Sequence, residues 1–133
     1  MALKILLIDD EESLSEVHRK RLHHRGYEVL VASSGKQSLE VVANHDDIAV
    51  AVLDVRMPGM DGIELTSRLK QVRPDLEIII LTAYNTPLCR IECARWGARD
   101  FLVKPVDVDE LVASIDKAAA ARADRIARME RTA

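Results

Sequence analysis

At the centre of the sequence stands the segment Asp54-Val55-Arg56-Met57-Pro58-Gly59-Met60-Asp61-Gly62, which follows directly on the apolar run Ile48–Leu53. An apolar run of this length, bounded by turn residues, predicts a buried strand. Asp54 is therefore a carboxylate at the point where a buried strand ends, and the Pro-Gly and Asp-Gly pairs after it predict a sharp turn. A single Asp at this place is typical of a strand cap, so its meaning depends on the other strand ends.

Length and composition describe one globular domain. The chain has 133 residues, of which 48% are hydrophobic and 31% charged, and 22 acidic residues against 19 basic ones give a net charge of -3. This length is enough to bury a continuous core, and the charge gives no general attraction to nucleic acid. No apolar run approaches the ~20 residues of a membrane span and no signal peptide precedes the first strand, so we expect a cytoplasmic protein that binds neither nucleic acid nor membrane. The four-residue spacing of Cys89 and Cys93 predicts free thiols.

Five predicted strands alternate with five predicted helices. The strands are the apolar runs Leu3–Ile8, Tyr27–Ala32, Ile48–Leu53, Glu77–Leu81 and Phe101–Val103. The helices are Ser13–Arg25, Ser34–Asn44, Ile63–Val72, Thr86–Trp96 and a last one that begins at Asp107 and meets no breaker through Ala133. In the first helix we expect Leu14, Val17 and Leu22 on the inner side. Such alternation is typical of an α/β protein with a doubly wound parallel sheet that is covered by helices on both faces.

Polar residues come directly after four of the predicted strands. They are Asp9 and Asp10, Asp54, Thr82 and Lys104. Ligands of doubly wound sheets bind beyond the carboxyl ends of the strands, so we expect these side chains to lie together. Three neighbouring carboxylates repel one another, and Mg²⁺ with oxygen ligands relieves that repulsion. With the Lys and Thr side chains on the far side, Asp54 would have the surroundings that a phosphoryl acceptor needs.

The motifs at these strand ends resemble those of the response-regulator receiver domain of two-component signalling. They read Ile-Leu-Leu-Ile-Asp-Asp-Glu at 5–11, Val-Leu-Asp-Val-Arg-Met-Pro-Gly-Met-Asp-Gly at 52–62, Leu-Thr-Ala at 81–83 and Gly-Ala-Arg-Asp-Phe-Leu-Val-Lys-Pro at 97–105. The resemblance extends from Leu3 to about Lys117. It implies a flavodoxin-like, three-layer fold with strand order 2-1-3-4-5, a receiver domain over residues 1–117 and a helical extension over residues 118–133.

The resemblance also implies a role for each matching residue of the site. Asp54 would accept a phosphoryl group from the phosphohistidine of a sensor histidine kinase or phosphotransfer protein. Asp10 and Asp54 would bind Mg²⁺ or Mn²⁺ directly, Asp9 would bind it through water, and the backbone carbonyl of Arg56 would complete the set of protein ligands. Lys104 would pair with the phosphoryl group.

A second group of residues would control the response and its duration. Thr82 would move towards the phosphoryl oxygens and let the ring of Phe101 turn inward, which would change the last helix-strand-helix face. Arg56 and Tyr84 border the path of the hydrolytic water in the family, and since neither is a good base at pH 7 we expect slow self-dephosphorylation. The Lys104–Pro105 bond would be cis, which the small energy difference at X-Pro bonds permits. The protein would thus be a signalling phosphoacceptor that catalyses its own phosphorylation and dephosphorylation, not an enzyme for an external substrate.

Other interpretations of single residues are open at this point. Asp9 and Asp10 could cap the first helix, Lys104 could be a surface residue, and Phe101 could be ordinary core. Trp96 could pack at a helix end or lie exposed on the face that partners contact.

Three other protein classes are weighed against a receiver. A phosphohydrolase related to the haloacid dehalogenases would need a second Asp two residues after the nucleophile, where this chain has Arg56, and no segment is left for a substrate-selecting cap domain. A nucleotide-binding protein would need a Gly-rich loop after the first strand, and that loop is absent from the sequence. A degenerate receiver used only for binding is disfavoured by the complete set of acids, Thr82 and Lys104.

The predicted last helix, from Asp107 to Ala133, would be roughly 40 Å long at 1.5 Å per residue. Its apolar residues fall on two heptad positions with one charged interruption at Arg122, and this pattern is compatible with a homodimer seam or with a solvated tail. The seam residues are Val108, Val112, Ile115, Ala119, Ile126 and Met129. Nothing after Lys117 resembles an effector domain, so we expect either a receiver that acts on a separate effector protein or the amino-terminal part of a regulator with an output domain.

Overall fold

The computed structural model describes residues 3–55 and 61–132. The strands are β1 (Lys4–Ile8), β2 (Glu28–Ala32), β3 (Ile48–Leu53), β4 (Glu77–Thr82) and β5 (Asp100–Val103). The helices are α1 (Glu12–His24), α2 (Gly35–Asn44), α3 (Gly62–Val72), α4 (Pro87–Arg95) and α5 (Val108–Thr132). Each predicted element is present, and each of its ends lies within one residue of the prediction.

The five strands form one parallel sheet in the order β2-β1-β3-β4-β5. This confirms the predicted doubly wound, flavodoxin-like fold and its strand order. β1 pairs with both β2 and β3, so the chain turns in opposite directions on the two sides of β1 and leaves a crevice at its carboxyl end. Ile8 is paired with Leu53 in register, and therefore Asp9 and Asp54 leave the sheet side by side.

Successive side chains of the strands point to opposite faces of the sheet and form two separate hydrophobic clusters. One face packs against α2, α3 and α4 through Val42, Leu65, Leu69, Cys89 and Cys93. The other face packs against α1 and α5 through Leu22, Leu111, Ile115 and Ala118. The two cysteines are free thiols as predicted, and burial raises the pKa of Cys93 to about 12.

Gly62, the first residue of α3, lies against Val55, the residue that follows Asp54. The Gly62 amide donates to the Val55 carbonyl at 3.1 Å. A Cβ atom at Gly62 would lie 2.3 Å from the Val55 Cα, so any larger residue would push the start of α3 away from the strand end. A glycine at this point therefore lets α3 begin directly against the backbone that follows Asp54.

Helix α5 packs against the sheet over more of its length than the seam prediction assumed. Ile115 is fully buried, and Val112 and Ala119 pack against the same cluster. Ile115 therefore cannot take part in a homodimer seam, and Val112 and Ala119 already contact the core of their own chain with part of their surface. Of the six seam residues, Met129 is 65% exposed and Ile126 is partly buried.

Two arginines hold the far end of α5 against the amino-terminal edge of the sheet. Arg122 Nη2 lies 2.9 Å from Asp75 Oδ2, and Arg125 Nη2 lies 2.9 Å from Glu77 Oε1. The charge at Arg122, which interrupts the heptad pattern, therefore has a partner within the chain. Among the residues the structure describes, no helix combines the length and apolarity needed to cross a bilayer.

Candidate functional site

The carboxyl edge of the sheet brings together three of the predicted site residues. Asp9 follows β1, Asp54 follows β3 and Lys104 follows β5. Lys104 Nζ donates to Asp9 Oδ2 at 2.6 Å and to Asp54 Oδ2 at 3.0 Å. The three side chains are between 10% and 13% exposed, so these ion pairs are largely shielded from solvent.

Two opposing effects set the pKa of Lys104. Burial disfavours its charged form, but the hydrogen bonds to Asp9 and Asp54 outweigh burial and raise the pKa above its ordinary value. Lys104 is therefore an ammonium at neutral pH, and it bridges the two carboxylates.

Asp9 has a second interaction that fixes its orientation. Its Oδ1 atom accepts from the backbone N–H of Glu11 at 2.9 Å, while Oδ2 binds Lys104. The N-cap of α1 is Glu11, which makes no side-chain cap hydrogen bond. Asp9 thus takes part in the turn into α1 and in the ion pair at once, rather than acting as a helix cap alone.

The structure does not gather the three predicted carboxylates into one cluster. Asp10 is exposed, and no group of three or more His, Cys, Asp or Glu residues in the described ranges is arranged to hold a metal. Lys104 already compensates Asp9 and Asp54, which removes the repulsion on which the prediction of that cluster depended. The available donors are carboxylate oxygens, the ligands that Mg²⁺ and Mn²⁺ prefer. The predicted ligand Arg56 lies outside the described residues.

Thr82 lies at the end of β4 and is 1% exposed. Its Oγ1 accepts from the Tyr84 amide at 3.1 Å, and its carbonyl accepts from the Lys104 amide at 2.9 Å. The hydroxyl still has its own proton to donate. The side chain of Tyr84 is exposed, so of these two neighbours only the threonine is fixed in the interior.

Phe101 is partly buried on β5 and packs against the cluster that α4 covers. The guanidinium of Arg90 lies over its ring, with the central carbon 4.8 Å from the ring centroid. Next to this pair, α4 exposes Leu88 and Ile91, which are 68% and 63% accessible. Trp96 at the end of α4 is also exposed, at 45%. The sequence gives no signal for the Arg90 contact, because it joins two elements through space.

Helix α1 contributes two residues to the site that were missed in the sequence. Ser15 and His18 line a small cavity of about 10 Å³ together with Asp9 and Asp54. Burial lowers the pKa of His18, and the nearby positive charge of Lys104 adds to the effect.

The expected inner side of α1 is wrong at Val17, which is 43% exposed. The buried residues Ser15 and Leu22 are seven residues apart and lie on the true inner face, but apolar spacing does not mark that face because Ser15 is polar.

The family model that matches the chain is described as the response regulator receiver domain and covers residues 5–116. The chain is 39% identical over 113 residues to the response regulator MprA of Mycobacterium sp. (strain KMS). The aligned region covers 85% of this chain and 49% of that protein. It is 37% identical over 118 residues to the transcriptional regulatory protein ZraR of Escherichia coli (strain K12). Here the aligned region covers 89% of this chain and 26% of that protein. A solved CheY-like receiver domain protein from Methanospirillum hungatei JF-1 superimposes with a TM-score of 0.89 at 25% identity, over 94% of this chain and 99% of that one.

These matches concern one domain of the longer relatives, since the chain spans about half the length of MprA and about a quarter of that of ZraR. The matched range 5–116 includes Asp9, Asp54, Thr82 and Lys104. A family model that accounts for most of the chain and a solved receiver domain of the same fold lead to one conclusion: the chain belongs to the response regulator receiver domain family.

Proposed function

We propose that Asp54 accepts a phosphoryl group from the phosphohistidine of a sensor histidine kinase or phosphotransfer protein. In this step the P–N bond of the donor breaks, an O–P bond to Asp54 forms, and the donor imidazole keeps the electron pair and takes up a proton. The observation that carries the proposal is the bridge from Lys104 to Asp54 at 3.0 Å, at the carboxyl edge of the sheet. Phosphoryl transfer depends on positioning and charge neutralisation, and an ammonium at this place supplies both.

We further propose that the site uses Mg²⁺ or Mn²⁺. Asp10 and Asp54 would bind the ion through carboxylate oxygens, Asp9 would bind it through water, and Arg56 would contribute its backbone carbonyl. When bound, the ion would neutralise phosphoryl oxygens on the side away from Lys104. Asp10 is exposed and therefore has room to turn towards the other carboxylates.

The signal would leave the site through Thr82 and Phe101. The Thr82 hydroxyl would donate to a phosphoryl oxygen and draw the end of β4 towards Asp54. That movement would make room for the Phe101 ring to turn further inward and would change the surface formed by α4, β5 and α5. The exposed apolar residues Leu88 and Ile91 make this surface suitable for contact with an effector or output domain.

The phosphorylated state would be long-lived. Tyr84 and Arg56 are proposed to border the path of the attacking water, and neither side chain activates water at neutral pH. The amide of Tyr84 donates a hydrogen bond to the Thr82 hydroxyl oxygen at 3.1 Å. A movement of Thr82 would therefore also change the backbone position of Tyr84. The receiver would then catalyse its own phosphorylation and, slowly, its own dephosphorylation.

The output partner is proposed to be an effector protein or an output domain, as the name of ZraR as a transcriptional regulatory protein describes for that relative. A homodimer through the exposed end of α5 is also proposed, now limited to the surface around Ile126 and Met129. Sedimentation of the full chain and of Met129→Glu, each with and without a phosphoryl mimic, tests it. A chain that stays monomeric at high concentration in every state contradicts the dimer.

Reaction with acetyl phosphate and Mg²⁺, followed by intact mass, tests the proposed function. The chain should gain one stable phosphate, and Asp54→Asn should gain almost none. Asp46→Asn is the matched control, since Asp46 is exposed and precedes β3 at the opposite edge of the sheet. Equal labelling of Asp54→Asn contradicts the assignment, and continuous release of phosphate without label would indicate a hydrolase instead.

A further inference from the structure

Ser15 in α1 has a buried hydroxyl without a protein partner. The residue is 2% exposed, and its Oγ is the one buried side-chain N or O atom in the described residues that makes no hydrogen bond. The other buried hydroxyls in helices are satisfied: Ser38 donates to the Gly35 carbonyl, Thr66 to the Gly62 carbonyl and Ser114 to Asp100. An unsatisfied buried hydroxyl is costly, so the exception at Ser15 requires an explanation.

The surroundings of Ser15 are polar and contain a cavity of the right size for one water molecule. The cavity measures about 10 Å³, close to the minimum that a single water requires. Its polar lining consists of Ser15, His18, Asp9 and Asp54, while the remaining walls are apolar side chains of β1, β3 and β4. A buried water is stable when it has two to four polar partners, and this cavity provides that number.

We propose that one internal water occupies this cavity and joins the Ser15 hydroxyl to the carboxylates of the acceptor site, which makes Ser15 and His18 positioning residues for phosphoryl transfer. The hydroxyl of Ser15 both donates and accepts, so it can bind the water in either direction. The imidazole of His18, which lines the same cavity, supplies a further partner. The carboxylates accept the water's own protons.

The water would fix the orientation of Asp9. The carboxylate of Asp9 is already held by the Glu11 amide at 2.9 Å and by Lys104 at 2.6 Å. A third contact from the interior side would hold its plane, and the plane of Asp9 determines where Lys104 can bridge to Asp54. This role rests on the proposed function of Asp54, whereas the presence of the water does not.

The alternative is that the Ser15 hydroxyl turns to its own helix. One acceptor there is the Glu11 carbonyl, four residues earlier, which already accepts from the Ser15 amide at 3.0 Å. Back-bonding of this kind is common for Ser and Thr in helices, and Thr66 shows it in α3. In that case the cavity would have one polar partner fewer, and Ser15 would have no influence on Asp9.

A crystal structure of the full chain at high resolution tests the water directly. A single peak should lie at about 2.7–3.2 Å from Ser15 Oγ, within hydrogen-bond distance, and should disappear in Ser15→Ala. A cavity without a peak, or a hydroxyl that donates to the Glu11 carbonyl, overturns the proposal.

Denaturant midpoints of Ser15→Ala and Ser13→Ala give an independent test. Both variants replace a Ser of α1 by Ala, but Ser13 is exposed, so a larger effect at Ser15 reports on the buried hydroxyl. Loss of a water-bridged hydroxyl should lower the midpoint of Ser15→Ala relative to Ser13→Ala. Removal of an unsatisfied hydroxyl would raise it, and that result contradicts the proposal.

The positioning role has its own readout in the rate of reaction with acetyl phosphate at saturating Mg²⁺. Ser15→Ala and His18→Leu should each slow the maximal rate by roughly 5-fold, the effect of one net hydrogen bond, while Ser13→Ala keeps it. Unchanged rates despite a water peak overturn the positioning role. If the unsubstituted chain gains no phosphate at all, the proposed function fails. The crystal structure and the denaturant midpoints still test the presence of the water, because neither depends on phosphorylation.

Discussion

The guanidinium of Arg90 lies over the ring of Phe101, 4.8 Å from the ring centroid, and so joins α4 to the residue proposed as the switch. A cation over an aromatic ring contributes about 0.5–1 kcal/mol at an exposed site. This amount is enough to bias the ring between two orientations by roughly 2- to 5-fold. α4 is therefore coupled to Phe101 through one contact that a single substitution removes.

Arg90→Ala should shift the Phe101 ring towards the inward orientation. If this orientation belongs to the conformation that accepts the phosphoryl group, its larger population should raise the rate of phosphorylation by acetyl phosphate by a similar roughly 2- to 5-fold. Side-chain NMR of Phe101 and the phosphorylation rate measure the two effects. Arg95→Ala is the control, since Arg95 lies over Trp96 on the same helix at 5.7 Å. Equal effects of both variants would contradict a specific link between Arg90 and the switch.

Lys104→Met should have opposite effects on metal binding and on phosphorylation. Lys104 now compensates Asp9 and Asp54, so its removal leaves two neighbouring carboxylates that bind Mg²⁺ more tightly, by roughly 5-fold for about 1 kcal/mol of charge interaction. Phosphate uptake should fall at least about 10-fold, because the cation beside the transferred group is lost. Calorimetric titration with Mg²⁺ and labelling by acetyl phosphate check both effects. The exposed Lys117→Met is the control, and weaker Mg²⁺ binding by Lys104→Met would argue against the bridging role.

Stability at alkaline pH should depend on Tyr27. Burial and a hydrogen bond to Asp116 raise the pKa of Tyr27 to about 12, so the folded protein favours the neutral phenol. The resulting stabilisation of roughly 2 to 3 kcal/mol is complete below the ordinary tyrosine pKa of about 10 and is lost as the pH rises through about 12. Urea midpoints at increasing pH should therefore fall for the unsubstituted chain and converge on those of Tyr27→Phe. Tyr84→Phe is the control and should keep the alkaline loss; if Tyr27→Phe keeps it too, the assignment to Tyr27 fails.

The lifetime of the phosphorylated state is predicted to depend on Arg56 and Tyr84. The double variant Arg56→Asn with Tyr84→Glu should release phosphate faster than the unsubstituted chain. The shorter Asn side chain would admit the attacking water, and the Glu carboxylate would orient it and accept its proton. Loss of label over time, followed by intact mass, gives the rate. Tyr84→Phe has the same bulk without the hydroxyl and should change little. Equal or slower release from the double variant would contradict the prediction.

The far end of α5 should come loose when its two arginine anchors are removed. Arg122 and Arg125 bind Asp75 and Glu77, and the guanidinium groups of Arg73 and Arg122 hold the pKa of Asp75 well below its ordinary range. In Arg122→Ala with Arg125→Ala, the amides of residues 119–132 should exchange with solvent markedly faster. Arg128→Ala is the control, because Arg128 pairs with Asp124 on its own helix. Exchange that is equally fast in both variants would show that the ion pairs do not hold the helix.

The elements were predictable because their signals are local. Apolar runs and turn residues locate the strand that ends at Asp54, and Ser34 caps α2 by accepting from the amide of Gln37, three residues later in the sequence. The inner face of α1 was not predictable from apolar spacing, since polar residues such as Ser15 and His18 face the site and Val17 faces solvent.

The remaining failures concern contacts between residues far apart in the sequence. Arg122 interrupts a heptad pattern in the sequence, yet in the structure it binds Asp75, 47 residues away. The prediction that three carboxylates would repel one another assumed that no cation lay between them. The predicted strand ends already bring Lys104 to the same edge as Asp9 and Asp54, but the hydrogen bonds by which it bridges both carboxylates, 95 and 50 residues away, are seen only in the folded structure.

The pairing of Ile8 with Leu53 makes the geometry of the site a result of strand register. The residues of β1 from Ile5 onward and those of β3 from Val50 onward alternate between the two hydrophobic clusters, so a slip of one residue would exchange these side chains between the faces of the sheet. Such a slip would also move Asp54 away from Asp9 by one step along the strand. Because a slip would mispack two clusters, the packing keeps the distance between the Asp9 and Asp54 carboxylates constant. Substitutions on the outer surfaces of the helices leave this distance unchanged.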